Sequence, residues 1–209
     1  MNISNQEKER IKLAVAELER NTAGELVPVI VRRSDDYKSF SYMSALFFAI
    51  SAMIGALASY YTAFYFGFLW SLSAIGVSTL FGFILPILFP VLKRELVPSK
   101  MLSDRVFDKA CQSFIKEEVF NTEDRIGILI FVSYFERKVF VLGDTGINQK
   151  LKHEDWNKIV QLVIEGIKSD QLIEGLEKAI KSCEKLLLEH GFTNRVKEHN
   201  ELSDDLRVE

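Results

Sequence analysis

From Tyr42 to Leu92 the chain carries no Lys, Arg, Asp or Glu, and almost every side chain is apolar, aromatic or small. No other feature restricts the fold as strongly. A soluble core helix keeps a polar face; this stretch offers none. A helix needs about 20 apolar residues to cross a bilayer core, so the stretch is long enough for two passes. The expected pair is 43–63 and 68–92, turning near Gly67. A cleaved leader is not expected, because the first ten residues, MNISNQEKER, contain no apolar run.

Basic residues near the membrane ends set orientation. Arg32, Arg33 and Lys38 precede the first pass, and Lys93, Arg94 and Lys100 follow the second, while the turn is uncharged. An integral membrane protein with both termini cytoplasmic is expected. Tyr60, Tyr61, Tyr65 and Trp70 cluster at the turn as an interfacial belt would. Ser51, Gly55 and Ser59 in the first pass, and Ala74, Ser78 and Gly82 in the second, recur at a spacing that lets helices approach closely in lipid. Pro86 and Pro90 are expected to kink the second pass. With no ionisable residue inside either span, the hairpin reads as an anchor rather than an ion path. The formal net charge of −3 supplies no electrostatic reason for a nucleic-acid partner. The partners expected are the lipid bilayer and a membrane protein.

The flanking segments alternate between helical and strand periodicity. Residues 4–21 form a predicted helix, opened by a Ser4/Glu7 capping box and stopped at Gly24. "ELVPVIVRR" (25–33) is a nearly continuous apolar run, as in a strand covered on both faces, although Pro28 favours an edge. After the hairpin come a helix at 103–120 capped by Ser103, a strand at 125–134 and a second strand at 138–143. The short turn Phe135–Arg137 makes these two an antiparallel pair. Two more amphipathic helices follow, the last ending at Gly191. Cys111 and Cys183 fall on apolar stripes and are expected in the core. The residues after 190 form a polar, mobile tail.

A strand–helix–strand crossover predicts parallel pairing of 25–33 with 125–133. The fold class is therefore α/β: a small mixed sheet with helices on both faces, interrupted by a two-helix transmembrane hairpin. The expected parts are 1–40 and 96–190 as two pieces of one domain, 43–92 as the hairpin and 191–209 as the tail. Neither soluble piece could bury a sheet alone.

"AELERNTAGELVPVIVRRSDDY" before the hairpin, "DRIGILIFVSYFERKVFVLGDTGIN" after it and the closing "HNELSDDL" resemble the TPM domain family. The arrangement looks like a bacterial-type member with an inserted transmembrane hairpin, which would put the chain in a bacterial inner membrane. The resemblance implies an α/β/α sandwich, acid-phosphatase activity of some members and metal binding by acidic residues. It equally implies a role in assembling or maintaining membrane complexes, or as an auxiliary channel subunit. The chain departs from many members in that its basic flanks place the domain inside, not outside, the cytoplasm.

"GDTG" (143–146) contains the Asp-Thr-Gly of aspartic proteases, but that chemistry needs two carboxylates sharing a proton within a mostly β fold. Two readings of Asp144 remain. One is a turn in which Asp bonds neighbouring backbone N–H groups and Gly supplies positive φ. The other is a site at the amino end of the parallel strands, where Glu25, Glu123, Asp124, Arg125 and Asp144 meet. There Glu25, Asp124 and Asp144 could hold a hard cation such as Ca²⁺ or Mg²⁺. Arg125 could grip a phosphate or simply neutralise Asp144, with Asp144 and Arg125 as the candidate catalytic pair. An alternative acidic site is Asp35 and Asp36 at the carboxyl end of the first strand, with Glu136, Arg137 and Lys138 nearby. His153, His190 and His199 lack metal-ligand spacing, and there is no phosphate-cradling Gly-rich loop. The leading expectation is a membrane-anchored module that binds or maintains a membrane protein complex. The alternative is a metal-dependent phosphatase tethered to the bilayer.

Overall fold

The computed structural model describes residues 3–61, 67–193 and 202–209. The chain divides into two compact units. One combines Met1–Ser34 with Ser103–Glu209, and the other is Asp35–Leu102.

In the first unit, helix α1 (Asn5–Asn21) opens with the expected capping box. The Ser4 hydroxyl accepts from Glu7 N–H and the Glu7 carboxylate accepts from Ser4 N–H at 2.8 Å, which satisfies two exposed donors at once. The helix ends at Thr22, whose N–H donates to the Leu18 carbonyl, and not through a left-handed glycine. Gly24 instead makes room for α8, since a Cβ there would stand 2.9 Å from a terminal methyl of Leu187.

Strand β1 (Glu25–Val31) pairs in parallel with β2 (Gly127–Ser133), from Glu25 opposite Gly127 to Val31 opposite Ser133. Strand β3 (Lys138–Gly143) returns antiparallel to β2. The turn between them closes at Arg137, which sits at φ 51°. Every residue of β1 and β2 is buried, and this is why both read as unbroken apolar runs.

The sheet order is β3-β2-β1-β4, where β4 is Arg207–Val208, parallel to β1. Two expectations are corrected here. The C-terminal residues are not all tail, since 207–208 complete the sheet. Nor is Pro28 on an edge strand, because β4 lies outside β1. The Glu25 N–H points at β2, donating to the Ile126 carbonyl. By alternation the Pro28 nitrogen faces outward, where β4 does not reach and no donor is missed.

Two apolar clusters flank the sheet. Leu26, Ile30, Ile128 and Ile130 pack with Ile11 and Leu18 of α1, with Ile159 and Val163 of α7 (Asn157–Lys168), and with Leu176, Ile180 and Cys183 of α8 (Leu172–Glu189). Val27, Val29, Leu129 and Phe131 pack instead with Val106 and Ala110 of α5 (Ser99–Lys116) and with Val119. Helix α5 begins four residues before the expected Ser103 cap. It stops earlier too, because Glu118 takes φ 53° and Val119 N–H reaches back to the Phe114 carbonyl. Helix α8 ends as expected at Gly191, in the left-handed region at φ 76°.

In the second unit, α2 (Lys38–Tyr60) and α3 (Phe68–Leu88) are each long and apolar enough to cross a membrane. Only 11% of each helix's most apolar window is buried, unlike a core helix of a soluble protein. The two pack closely. A Cβ on Gly82 would meet Phe48 at 2.8 Å, and the Ser78 hydroxyl donates to the Phe48 carbonyl at 3.2 Å. Gly55 has open space at its Cα instead, so only part of the expected small-residue seam is used. Pro86 is accommodated inside α3, whereas Pro90 begins a new helix, α4 (Pro90–Leu96), at its first position. A proline at that position sacrifices no helical hydrogen bond. Tyr60, Tyr61 and Trp70 are exposed near the turn; Tyr65, like His199, lies outside the described residues.

Candidate functional site

At the amino end of the parallel strands, Asp144 follows β3 and caps a single helical turn, α6 (Thr145–Asn148). It is 5% exposed. Its Oδ1 accepts from Thr145 N–H at 2.7 Å and from Arg125 Nη2 at 3.2 Å. Arg125 Nε stands 2.8 Å from Oδ2, off the line of its N–H, so that half of the contact is electrostatic only. The backbone repeats the connection: Asp144 N–H donates to the Gly127 carbonyl, and Gly146 N–H to the Arg125 carbonyl, both at 2.9 Å. Arg125 itself sits at φ 56°, the conformation that aims its carbonyl at Gly146 while its side chain turns to Asp144.

The glycines of this turn serve proximity rather than positive φ, in contrast to the sequence expectation. A Cβ on Gly146 would lie 2.5 Å from the Asp124 carbonyl oxygen, and one on Gly143 would lie 2.7 Å from Ile147. Gly127 is tighter still: a Cβ there would stand only 1.9 Å from the Val119 carbonyl oxygen. At Gly127 and Gly146 backbone packs on backbone, and any side chain would hold the segments apart; at Gly143 the neighbour is the Ile147 side chain.

Asp144 and Arg125 are thus brought together, but the proposed cation ligands are not. Glu123 and Asp124 are exposed and Glu25 is buried. Among the described residues no group of three or more His, Cys, Asp or Glu side chains is arranged to hold a metal ion. Ca²⁺ requires six to eight oxygens, and Asp144 already spends its carboxylate on Arg125 and Thr145. The donor set Glu25, Asp124 and Asp144 does not fit the ion.

The alternative acidic site also disperses. Asp35 Oδ1 accepts from Tyr37 N–H at 2.7 Å, and Asp36 lies 3.8 Å from Lys38. These are local contacts at the start of α2. At the carboxyl end of the sheet the buried carboxylate is Glu136, only 3% exposed. It accepts from Ser34 N–H at 3.0 Å and from the Ser133 hydroxyl, to which the Ser34 hydroxyl donates at 2.9 Å. Sequence reading placed Glu136 at this end but missed the two serines. Their signal was faint: polar residues closing each of two parallel apolar strands, beside a buried acid. The network ties together the ends of β1 and β2 and the β2–β3 turn.

Nearby, Ile3, Glu7, Arg10, Tyr134, Asp170 and Leu172 line a polar cleft of about 250 Å³. The Tyr134 hydroxyl donates to Asp170 at 3.1 Å, which holds its pKa above the usual phenol value. Arg10 is engaged bidentately by Glu177, at 2.9 and 2.7 Å. The cleft presents no activated nucleophile. Cys183 is no candidate either, since burial pushes its thiol up to about 12. A thiol that resists ionisation is a core residue, as its position on α8 suggested.

The arrangement describes a small mixed-sheet α/β unit joined to a pair of apolar helices. No protein-family model matches the chain, and no curated protein matches it. Among solved structures it is similar to the BA42 protein from the psychrophilic bacterium Bizionia argentinensis, determined by NMR. The TM-score is 0.62 at 16% identity, covering 100% of this chain and 97% of that one. At such low identity the likeness extends to the fold alone.

Proposed function

We propose that this chain is a membrane-anchored protein whose α/β unit binds or maintains a membrane protein complex. In this reading the α/β unit is an α/β/α sandwich of TPM type. The two apolar helices span a bacterial inner membrane, and both termini lie on the cytoplasmic side. The observation that carries the proposal is the pair of long, strongly apolar helices with their apolar surface outward, set into the chain between β1 and α5. Apolar surface of that extent demands lipid or protein around it. The basic residues flanking the pair, and the uncharged turn, support the orientation.

What weighs against the phosphatase alternative is the state of its residues. A phosphatase requires convergent carboxylates and an open pocket. Asp144 is instead a buried cap neutralised by Arg125.

Two measurements test the reading. Single cysteines placed at Ser4 and Ser203, in a Cys111→Ser background, should both resist a membrane-impermeant maleimide in intact spheroplasts and react after lysis. Labelling of one terminus alone would overturn the topology. The purified full chain in detergent should hydrolyse a phosphomonoester only at background rate with Ca²⁺ or Mg²⁺, and identically in Asp144→Asn. Metal-dependent turnover lost in that variant would establish the phosphatase instead.

A further inference from the structure

The outer edge of β1 is blocked toward its amino end and open to pairing toward its carboxyl end. The Leu26 N–H is already taken by the Glu19 carboxyl at 2.9 Å, and Pro28 has no N–H to offer. Over residues 29–32 the edge is covered by residues 202–209. Strand β4 pairs beside Val29 and Ile30. Glu209 N–H donates to the Ile30 carbonyl at 3.0 Å, and Arg32 N–H to the Glu209 carbonyl at 2.9 Å. The segment straddles the sheet edge: Leu206 is buried in the cluster on the α1 and α8 side, and Leu202 packs against the cluster on the α5 side.

Charge adds to what the main chain recognises. Lys12 on α1 stands 2.9 Å from Asp205. On the other flank Lys109 of α5 lies 3.7 Å from Glu209, and Lys116 pairs with the same carboxylate. Asp204, Asp205 and Glu209 outnumber the segment's own cation, Arg207, which is met by Glu117 at 2.9 Å. Lysines thus frame the open part of the edge from both sides. Their complement is an acidic strand with leucines at the spacing of Leu202 and Leu206. The grip on the resident segment is shallow. The Lys12 and Asp205 side chains are 45% and 64% exposed, and ion pairs so open to water contribute little. Among the described residues 202–209, only Leu206 is buried.

We propose that this edge of β1 is a docking site for an acidic, leucine-bearing segment of the membrane protein partner, added as a parallel strand, and that residues 202–209 hold the site closed as an internal stand-in. The inference rests on the reading of the chain as a module that binds a membrane protein complex, and it names the part of the partner that is bound. Strand addition suits such an edge: main-chain bonds supply affinity and the flanking side chains select the sequence. Tethering sets the threshold. A segment joined to its site by a short stretch of chain acts at an effective concentration on the order of millimolar. A free strand of equal strength displaces it only at a like concentration. Confinement in one membrane supplies that concentration, and dilute solution does not. Weakening the resident segment lowers the threshold without altering the acceptor.

The test uses the full chain in detergent and a fluorescein-labelled peptide LSDDLRVE, the sequence of residues 202–209, with binding read by fluorescence anisotropy. Leu206→Ala removes the buried anchor of the resident strand, and should bind the peptide at least about tenfold more tightly than wild type. Asp205→Lys sets a second cation against Lys12 and leaves the core intact, so it should bind about two- to fivefold more tightly even if the first variant folds poorly. Adding Lys12→Glu and Lys116→Glu to Leu206→Ala should abolish binding, and a peptide carrying Asp205→Lys and Glu209→Lys should restore it. Equal affinity in wild type and both loosened variants, or equal binding of a scrambled peptide, would overturn the site. A Leu206→Ala chain that self-associates and binds no peptide would put a second copy on the edge and overturn the assignment to a partner. Peptide binding in detergent does not depend on membrane orientation, so its failure is distinct from a failed topology in the maleimide assay.

Discussion

The Asp144 turn can be tested as a structural element by removing its parts one at a time. Asp144→Ala deletes the acceptor for Thr145 N–H and the partner of Arg125. The lost cap costs about 1 kcal/mol. A hydrogen bond to a charged group contributes roughly 1.5–3 kcal/mol where it is buried, and the low end applies because the Arg125 side chain is 51% exposed. That same exposure lets water solvate the abandoned guanidinium, so no buried-charge penalty is added. The sum is about 2–3 kcal/mol, which for a chain of this length lowers Tm by roughly 5–10 °C. Asp144→Asn keeps an oxygen for Thr145 and loses only the charge, so its loss should be about 1 kcal/mol. The assay is thermal unfolding of the detergent-solubilised chain, followed by intrinsic fluorescence at a fixed scan rate. Arg125→Ala and the double variant complete a cycle, and non-additivity of about 0.5–2 kcal/mol is expected for contacting residues. If Asp144→Ala unfolds within a degree of wild type, the carboxylate is not supporting the turn and its burial needs another explanation. If Asp144→Asn is as damaging as Asp144→Ala, charge rather than capping dominates.

Gly127→Ala places a methyl group 1.9 Å from the Val119 carbonyl oxygen. Backbone must move to admit it, so a loss of at least about 1–3 kcal/mol or failure to fold is expected, measured by the same unfolding assay. In native protein, Cys111 should be alkylated by iodoacetamide at alkaline pH, whereas Cys183, buried with its thiol pushed up to about 12, should react only after denaturation. Mass spectrometry of timed samples distinguishes them, and early labelling of Cys183 would contradict the packing of α8. Gly82→Leu should separate α2 from α3, because a Cβ there already meets Phe48 at 2.8 Å, while Gly55→Leu points into open space and should be tolerated. Disulfide trapping between cysteines introduced beside Ser44 on α2 and Gly82 on α3 reads the separation directly.

Much of this architecture is written in local patterns. Burial on both faces leaves β1 and β2 no room for polar side chains, so their apolar runs identify them and their parallel pairing follows from the crossover between them. The Ser4/Glu7 box works because both bonds form within one helical turn. The uncharged residues at 42–92 announce two membrane-length helices because lipid, unlike water, tolerates no charge on any face. What stayed hidden depends on residues far apart in the chain. Strand β4 is only two residues long, too short for any periodicity, and forms because Leu206 and Leu202 find the two apolar clusters beside the edge of β1. The acidic residues near Asp144 looked convergent because sequence places them at one end of the sheet; which way each side chain turns is decided by packing, and the turn gave Asp144 to Arg125 and the Thr145 N–H. The glycines at 143 and 146 suggested unusual dihedral angles, yet close contacts require them: the Ile147 side chain at Gly143 and the Asp124–Arg125 backbone at Gly146. Sequence by itself determined which segments become helices, strands and membrane-length spans, because hydrophobic periodicity and capping act over a few residues. Only tertiary structure decided which carboxylates are paired or buried, because desolvation and charge proximity exist only once the chain has folded.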